Sequence, residues 1–319
     1  MSEAYRDRDF LVTGGAGFIG SHLVEELVRR GANVVTIVDS LDTGRIGNLA
    51  SVSEQINLVE LDLRHDDLRP LLAGKQFDTL FHLAANANVT GSVSDPRLDL
   101  EKNILGTFNV LQAIREASPR TKVIFASSAT VYGEGVTTPI KEDDAKVPTS
   151  PYGVSKLAAE HYVRLYAELY GLKTAIARMF SVFGPRLRKQ VVFDLMCKLR
   201  DDPDVLHLHG DGTQVRDMNY VANVADAILL IAARAPLGGE SYNVASGDQV
   251  SIKEIAGLIC EGMGLSPKLV FSGEVRAGET QKWYPDHARL TALGYRPSVA
   301  LRIGLERTIQ WFQKVGGRE

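Results

Sequence analysis

The chain has 319 residues, 45% hydrophobic and 24% charged, an ordinary globular composition with room for one large domain or two moderate ones, each with a buried core. Lysine and arginine number 36 against 39 acidic residues, a net charge of −3, which leaves no basic surplus to neutralise a nucleic-acid backbone. The charged start MSEAYRDRDF is no signal peptide, no apolar run approaches the roughly 20 residues of a membrane span, and Cys197 and Cys260 suit neither a disulfide framework nor a metal site. A cytoplasmic enzyme without a metal is the expectation.

Phe10-Leu11-Val12 reads as a first strand, closed by glycines. From Ser21 to Arg30, Leu23, Leu27 and Val28 recur at helical spacing, and Gly31 supplies the stop signal. Val34 to Val38 is β-branched and continuous, the pattern of a strand buried on both faces. Further strands are expected at Ile56 to Leu61, Thr79 to Leu83, Lys122 to Ala126 and Thr174 to Ala177, with helices at Pro96 to Glu116 and Pro151 to Tyr170. Strands alternating with helices predict right-handed crossovers, hence an α/β fold with a doubly wound parallel sheet. After about Phe180 the rhythm breaks at GPRLRKQ. A helix follows near Val191 to Arg200, the stretch from Asp201 to Asn219 is rich in turn residues, and Val221 to Arg234 is helical. The expected division is a first domain over 1–180, to which 220–245 return, and a smaller α/β lobe over 181–319.

Thr13-Gly14-Gly15-Ala16-Gly17-Phe18-Ile19-Gly20 joins the first strand to the first helix. Glycines there let a pyrophosphate approach the backbone, where its charge meets the helix N-terminus. Gly15, Gly17 and Gly20 fit G-x-G-x-x-G, and Gly14, Gly17 and Gly20 fit G-x-x-G-x-x-G. Asp39 closes the second strand about 20 residues further on, where a carboxylate accepts hydrogen bonds from adenosine ribose hydroxyls. The same charge repels a 2′-phosphate, so NAD is expected rather than NADP. Asp62 ends the third strand, placed either to meet the adenine amino group or to cap the next turn. The small residues of His82-Leu83-Ala84-Ala85 end the fourth strand where backbone must pass close to a cofactor. His82 itself reads as a hydrogen-bonded core histidine.

Tyr152-Gly153-Val154-Ser155-Lys156 sets a phenol and an ammonium four residues apart on one helix face. A tyrosine of pKa about 10 is a poor base at neutral pH. An adjacent Lys⁺ and a positive nicotinamide ring both favour its phenolate. Ser127-Ser128-Ala129-Thr130-Val131-Tyr132-Gly133 follows the fifth strand. A hydroxyl there either points into the cleft toward the oxygen being oxidised or ends the strand in a turn.

These motifs resemble the extended short-chain dehydrogenase/reductase family, which has the Rossmann fold. Within it they are most similar to the NAD-dependent nucleotide-sugar epimerases and dehydratases, above all the UDP-glucose 4-epimerases. The likeness runs nearly end to end. It takes in Glu101 to Gly106, Arg178 to Pro185, Gly210 to Asp217 and Arg276 to Glu279. The resemblance implies Tyr152 as the base, Lys156 as its pKa partner and ribose contact, and Ser128 as the contact to the substrate hydroxyl. Around the dinucleotide it adds Phe18, Ile19, Ser40, Thr43, Gly44, Leu63, Leu83 and Asn103 to Gly14, Gly17, Asp39, Asp62, Ala84 and Ala85, with Phe180 near the nicotinamide. To the nucleotide sugar it assigns Ser181, Arg216, Arg276 and Glu279. The two guanidinium forks suit a diphosphate, and the acid holds the nucleotide's ribose.

Departures from the family pattern narrow the reading. Dehydratases carry an Asp-Glu pair after the catalytic hydroxyl, because eliminating water needs a proton donor and a further base. Ala129 and Thr130 stand there, which favours epimerisation. Ser181, where 4-epimerases usually carry Asn, and Asp99 to Asn103 are similar to CDP-sugar 2-epimerases; a nucleotide-4-keto-sugar reductase is the other alternative. Arg186 to Gln190 is more basic than the family pattern. Trp283 falls beside the sugar's 2-substituent, where an indole disfavours N-acetylated sugars. The expected reaction is C4 interconversion of a UDP-hexose, UDP-glucose and UDP-galactose, through a 4-keto intermediate. The implied partners are that nucleotide sugar and a second copy, a homodimer through the 96–116 and 151–170 helices, with no nucleic acid and no membrane.

Overall fold

The computed structural model describes residues 4–134, 136–274 and 282–315. Its apolar runs form strands β1 (Asp9–Thr13), β2 (Val34–Asp39), β3 (Ile56–Glu60), β4 (Thr79–His82), β5 (Lys122–Ser128), β6 (Thr174–Met179) and β7 (Gly238–Val244). They join in the order β7-β6-β5-β4-β1-β2-β3, and every pairing is parallel. The order reverses between β1 and β4. Connections leave in opposite directions at such a switch point and open a crevice at the strands' carboxyl ends.

The longer helices are α1 (Phe18–Arg29), α2 (Gly106–Ala117), α3 (Pro151–Tyr170), α4 (Gln190–Asp201), α5 (Val221–Arg234), α6 (Ile252–Met263) and α7 (Leu301–Val315). Successive strand residues point to opposite faces, so both faces need cover. Phe10 and Val12 pack with Leu23 and Leu27 of α1 and with Val224 and Ile228 of α5. Leu11 and Leu80 pack with Val110 and Ile114 of α2 and with Val163 and Tyr166 of α3. The result is the doubly wound α/β fold expected from the strand–helix alternation.

Beyond β6 a smaller lobe forms. Val215–Asp217 pairs with Gln249–Ser251 and with Lys282–Trp283, and Val205–Leu208 pairs with Lys268–Phe271. Leu195 of α4, Ile259 of α6 and Phe312 of α7 belong to the same apolar cluster as α1 and α5. A shared core, not a linker, joins these elements to α1 and α5 on one face of the sheet.

Three stretches differ from the sequence pattern. The 96–116 periodicity is broken into Pro96–Asp99, a π-helical turn at Leu100–Leu105, and α2. One wide turn is invisible to a period count because the apolar stripe resumes after it. The stretch from Asp201 to Asn219 holds the short strands Val205–Leu208 and Val215–Asp217, too brief for alternation to register. β7 is an edge strand whose Gly, Glu, Ser and Asn hide its place beside β6. Among the described residues, no helix is long and apolar enough to cross a membrane.

Candidate active site

The crevice at the β1–β4 switch point is a cavity of about 680 Å³, within the range of ordinary ligand pockets, about 300–1,000 Å³. Gly14, Gly17, Phe18 and Ile19 line it from the β1–α1 turn, and Asp39, Ser40, Thr43 and Gly44 from beyond β2. Asp62 and Leu63 follow β3, and Leu83, Ala84 and Ala85 follow β4. Ser128, Tyr152, Lys156, Phe180, Ser181 and Trp283 line it further along.

The glycine turn is shaped by contact. Gly14 sits at φ +72, and a Cβ there would lie 2.6 Å from Ala84 N. A Cβ on Gly20 would overlap Gly14 O. Side chains at either position would drive the turn off β4 or α1. α1 starts at Gly17 without a side-chain cap and with no acidic residue in its first turn, so its first N–H groups suit an anion in the cavity. Asp39 is 8% exposed; its Oδ2 accepts from Ala16 N and its Oδ1 from Leu41 N, both at 2.9 Å. One carboxylate therefore braces the glycine turn while it faces the cavity with lone pairs to spare. Glycine turn, helix terminus and carboxylate together fit a dinucleotide.

Asp62 both borders the cavity and closes a turn of its own. It caps its turn, accepting from Arg64 N at 3.0 Å, and its carboxylate also lines the cavity. It holds the Arg64 fork through Nε at 3.0 Å and Nη2 at 2.6 Å, and these hydrogen bonds pull its pKa down to about 2. His82 is a core histidine: Nδ1 meets Thr13 Oγ1 at 2.7 Å, Nε2 meets Thr107 Oγ1 at 3.0 Å, and burial pushes it down to about 3. Asn103 is placed beneath the cavity rather than on its wall. The wide π turn swings its amide inward, where Oδ1 accepts from Asn86 N at 2.7 Å and Nδ2 donates to Ser155 Oγ at 2.9 Å. Ser155 Oγ in turn donates to Tyr152 O at 2.8 Å, so Asn103 supports α3 from below.

Ser150 caps α3, accepting from Gly153 N at 3.1 Å, and Pro151 opens the helix, which fixes Tyr152 in the first turn. Tyr152 and Lys156 are 8% and 3% exposed. Lys156 Nζ donates to Ala126 O at 2.9 Å and lies 4.8 Å from the Phe125 ring centroid. Burial pushes its pKa down to about 8, with Glu160 and Asp99 acting in the opposite direction. Burial also pushes Tyr152 up to about 12, against a hydrogen bond with Ser128. The ammonium gives one of its three N–H groups to the Ala126 carbonyl and keeps its charge beside the phenol, where the sequence expectation joins to it the positive ring of a bound nicotinamide. Ser128 Oγ accepts from Thr130 Oγ1 at 3.0 Å, whereas Ser127 Oγ turns to Glu160 at 2.6 Å.

The substrate candidates are less closely grouped. Ser181 lines the cavity, and Trp283 packs against Phe180 with the rings tilted and their centroids 5.9 Å apart. Arg216, on Val215–Asp217, lies off the cavity wall and donates to Val215 O at 2.9 Å. Arg276 and Glu279 lie outside the described residues. Sequence reasoning missed Arg45, Asn48, Arg64 and Lys102 as lining residues, and left Arg186 to Gln190 without a place there; the basic run at 186–189 was the available signal. Among the described residues, no cluster of His, Cys, Asp and Glu could hold a metal.

A dinucleotide cradle that opens directly onto a buried Tyr–Lys pair is the layout of the extended short-chain dehydrogenases/reductases, the class to which this fold and site correspond. The family model described as GDP-mannose 4,6 dehydratase matches residues 11–308, and the chain belongs to that family, the NAD-dependent nucleotide-sugar epimerases and dehydratases. A putative UDP-glucose 4-epimerase of Methanocaldococcus jannaschii is 35% identical over 95% of this chain and 98% of its own length. The UDP-N-acetylglucosamine 4-epimerase of Methanobrevibacter ruminantium, solved with UDP-N-acetylmuramic acid, superposes with a TM-score of 0.89 at 32% identity, covering 97% of this chain and 99% of that one. The Thermus thermophilus UDP-glucose 4-epimerase, solved with NAD, gives a TM-score of 0.82 at 34% identity over 96% and 99%.

Proposed function

We propose that the protein epimerises a nucleotide sugar at C4, with UDP-glucose and UDP-galactose as the pair interconverted. The carrying observation is the chemistry of the two residues after the catalytic hydroxyl. Ala129 has no proton to give, and Thr130 Oγ1 is tied to Ser128 Oγ at 3.0 Å. Elimination of water lacks its acid–base pair there, whereas epimerisation needs only one proton moved and returned.

The cofactor is NAD. A 2′-phosphate would meet the carboxylate of Asp39, which is engaged by Ala16 N and Leu41 N and cannot turn away. Bound NAD supplies a hydride acceptor whose hydride is returned within the same turnover. In the chain itself, Ser128 Oγ orients the C4 hydroxyl, and the Tyr152 phenolic oxygen takes and later returns its proton. Lys156 keeps positive charge beneath that oxygen and contacts the cofactor's ribose. The sugar passes through a 4-keto form and must present its other face before reduction. Arg216, Arg276 and Ser181 hold the diphosphate and Glu279 the ribose while it turns. In this division of labour, 1–180 with 220–245 hold the dinucleotide and 181–319 hold the nucleotide sugar. The indole of Trp283, packed on Phe180, narrows the space for a 2-acetamido group.

The purified protein, incubated without added cofactor with UDP-, CDP-, GDP- and dTDP-sugars and followed by NMR, is expected to convert UDP-glucose to UDP-galactose. A 4-keto-6-deoxy product, or an epimer from a CDP-sugar alone, would overturn the reading.

The active form in this reading is a homodimer joined through α2 and α3. Phe108, Tyr162, Leu165 and Leu169 are exposed on those helices, with the Phe108 and Tyr162 rings 5.7 Å apart, an apolar face that a second copy would cover. Phe108→Asp with Leu165→Asp is expected to yield a monomer by light scattering, and an unaltered dimer would place the interface elsewhere.

A further inference from the structure

Between β6 and α4 the chain carries Arg186, Arg188 and Lys189, positive charge that the proposed reaction leaves unused. The segment crosses the dinucleotide cavity. At one end it is fastened to α1: Arg186 Nη1 donates to Ser21 Oγ at 3.0 Å and Arg186 Nη2 pairs with Glu25. The His22 ring also bonds Pro185 O at 3.1 Å. At the other end Lys189 Nζ donates to Ala87 O, in the loop after β4. Residues 186–190 all line the cavity. A segment bound both to α1 and to the β4 loop spans the mouth above the glycine turn.

Two further features set it apart from a plain connection. Arg186 and Gln190 have φ of +77 and +70, left-handed conformations that non-glycine residues keep only where the surroundings hold them. Arg188 lies with its guanidinium 5.6 Å from the Trp311 ring centroid, and its Nη1 is shut from water with no hydrogen-bond acceptor in the protein. A buried N–H without an acceptor is costly. Arg188 lines both the main cavity and a smaller one of about 510 Å³ beside it. Glu25 neutralises Arg186 and Lys189 is turned to Ala87 O, which leaves Arg188, of the cations in this segment, to meet a ligand. A planar fork on a concave wall suits the paired oxygens of a diphosphate, and the α1 N-terminus brings the dinucleotide's diphosphate to this part of the cavity.

We propose that residues 185–190 form a basic strap over the pyrophosphate of the bound dinucleotide, with Arg188 as a phosphate ligand and Lys189 as the latch to the β4 loop. The inference rests on the NAD reading of the site. Amides of α1 meet the diphosphate from below and the Arg188 fork meets it from above. Such a clamp retains the cofactor across turnovers, which suits a reaction that returns its hydride each cycle.

The test is calorimetric titration of cofactor-stripped protein with NAD⁺ and, separately, with UDP. Arg188→Gln is expected to weaken NAD⁺ binding about tenfold, to reduce its salt dependence and to leave UDP binding unchanged. Lys189→Ala is expected to release NAD⁺ several-fold faster. Arg188→Lys, which keeps the charge, should recover part of the affinity, and thermal unfolding of all three variants should match the wild type. Equal NAD⁺ affinity in Arg188→Gln and wild type would overturn the strap. A loss confined to UDP would also overturn it, by assigning the segment to the substrate. A wild-type protein that fails to bind NAD⁺ would instead overturn the cofactor reading on which the strap depends.

Discussion

Tyr152→Phe is expected to lower turnover by about 10²–10⁴-fold, the usual contribution of a positioned acid–base group, while the protein keeps its NAD. The phenol is the group that moves the C4 proton in the proposed reaction, and phenylalanine removes only that oxygen. The ring is 8% exposed in the first turn of α3, so the change conserves apolar volume and leaves packing nearly intact. The glycine turn, Asp39 and Ala84 lie on other elements and are untouched. The pH dependence should separate the variants further. A base acts when deprotonated, and burial, with the Asp99 charge beside it, pushes the phenol above the ordinary tyrosine value, so the wild-type rate should rise with pH. The variant should lose that rise. Turnover by NMR, with the nucleotide released on denaturation as the measure of cofactor content, checks both halves; retention of most activity would contradict the assignment of Tyr152.

Arg178→Ala is expected to cost about 3–5 kcal/mol of stability, the penalty for breaking a buried ion pair from one side. Arg178 is fully buried on β6. It donates through Nε to Glu160 at 2.9 Å, through Nη2 to Glu160 at 2.6 Å, and through Nη1 to the Tyr132 hydroxyl and Glu142 O, both at 2.9 Å. Truncation leaves the Glu160 carboxylate, 1% exposed, with the more distant Arg164 Nη2, at 3.9 Å, as its remaining countercharge among the described residues. Glu160 lies one turn beyond Lys156 on α3, and its charge acts to raise the Lys156 pKa, so disorder there should also reach the site. A double replacement, Arg178→Met with Glu160→Met, should be much less harmful, because no buried charge is stranded. Urea midpoints of the three proteins test this. A loss below about 1 kcal/mol in Arg178→Ala would contradict the role given to the pair.

The features legible in the sequence were those local along the chain. The glycine spacing of 14–20, the acid that closes β2 and the Tyr152/Lys156 interval are signals within one turn or one strand end. α3 matched its expected bounds, Pro151 to Tyr170, because Ser150 and Pro151 mark its start and Gly171, at φ +69, marks its stop. The features that stayed hidden depend on distant partners. The Lys156 ammonium goes to Ala126 O, on another element, so no reading of α3 alone could weigh desolvation against charge at Tyr152. Asn103 was legible as important, but its inward aim depends on the π turn. Arg186 to Gln190 was legible as basic, yet its span from α1 to Ala87 exists only once β4 and α1 lie side by side.

The central claim, epimerisation at C4 by oxidation and reduction with a retained cofactor, is tested most directly with UDP-glucose deuterated at C4, turned over in ordinary water without added NAD. The expected product is UDP-galactose that keeps its deuterium at C4, because the hydrogen removed from that carbon is returned to it without meeting solvent. Protium at C4 of the product would contradict the claim.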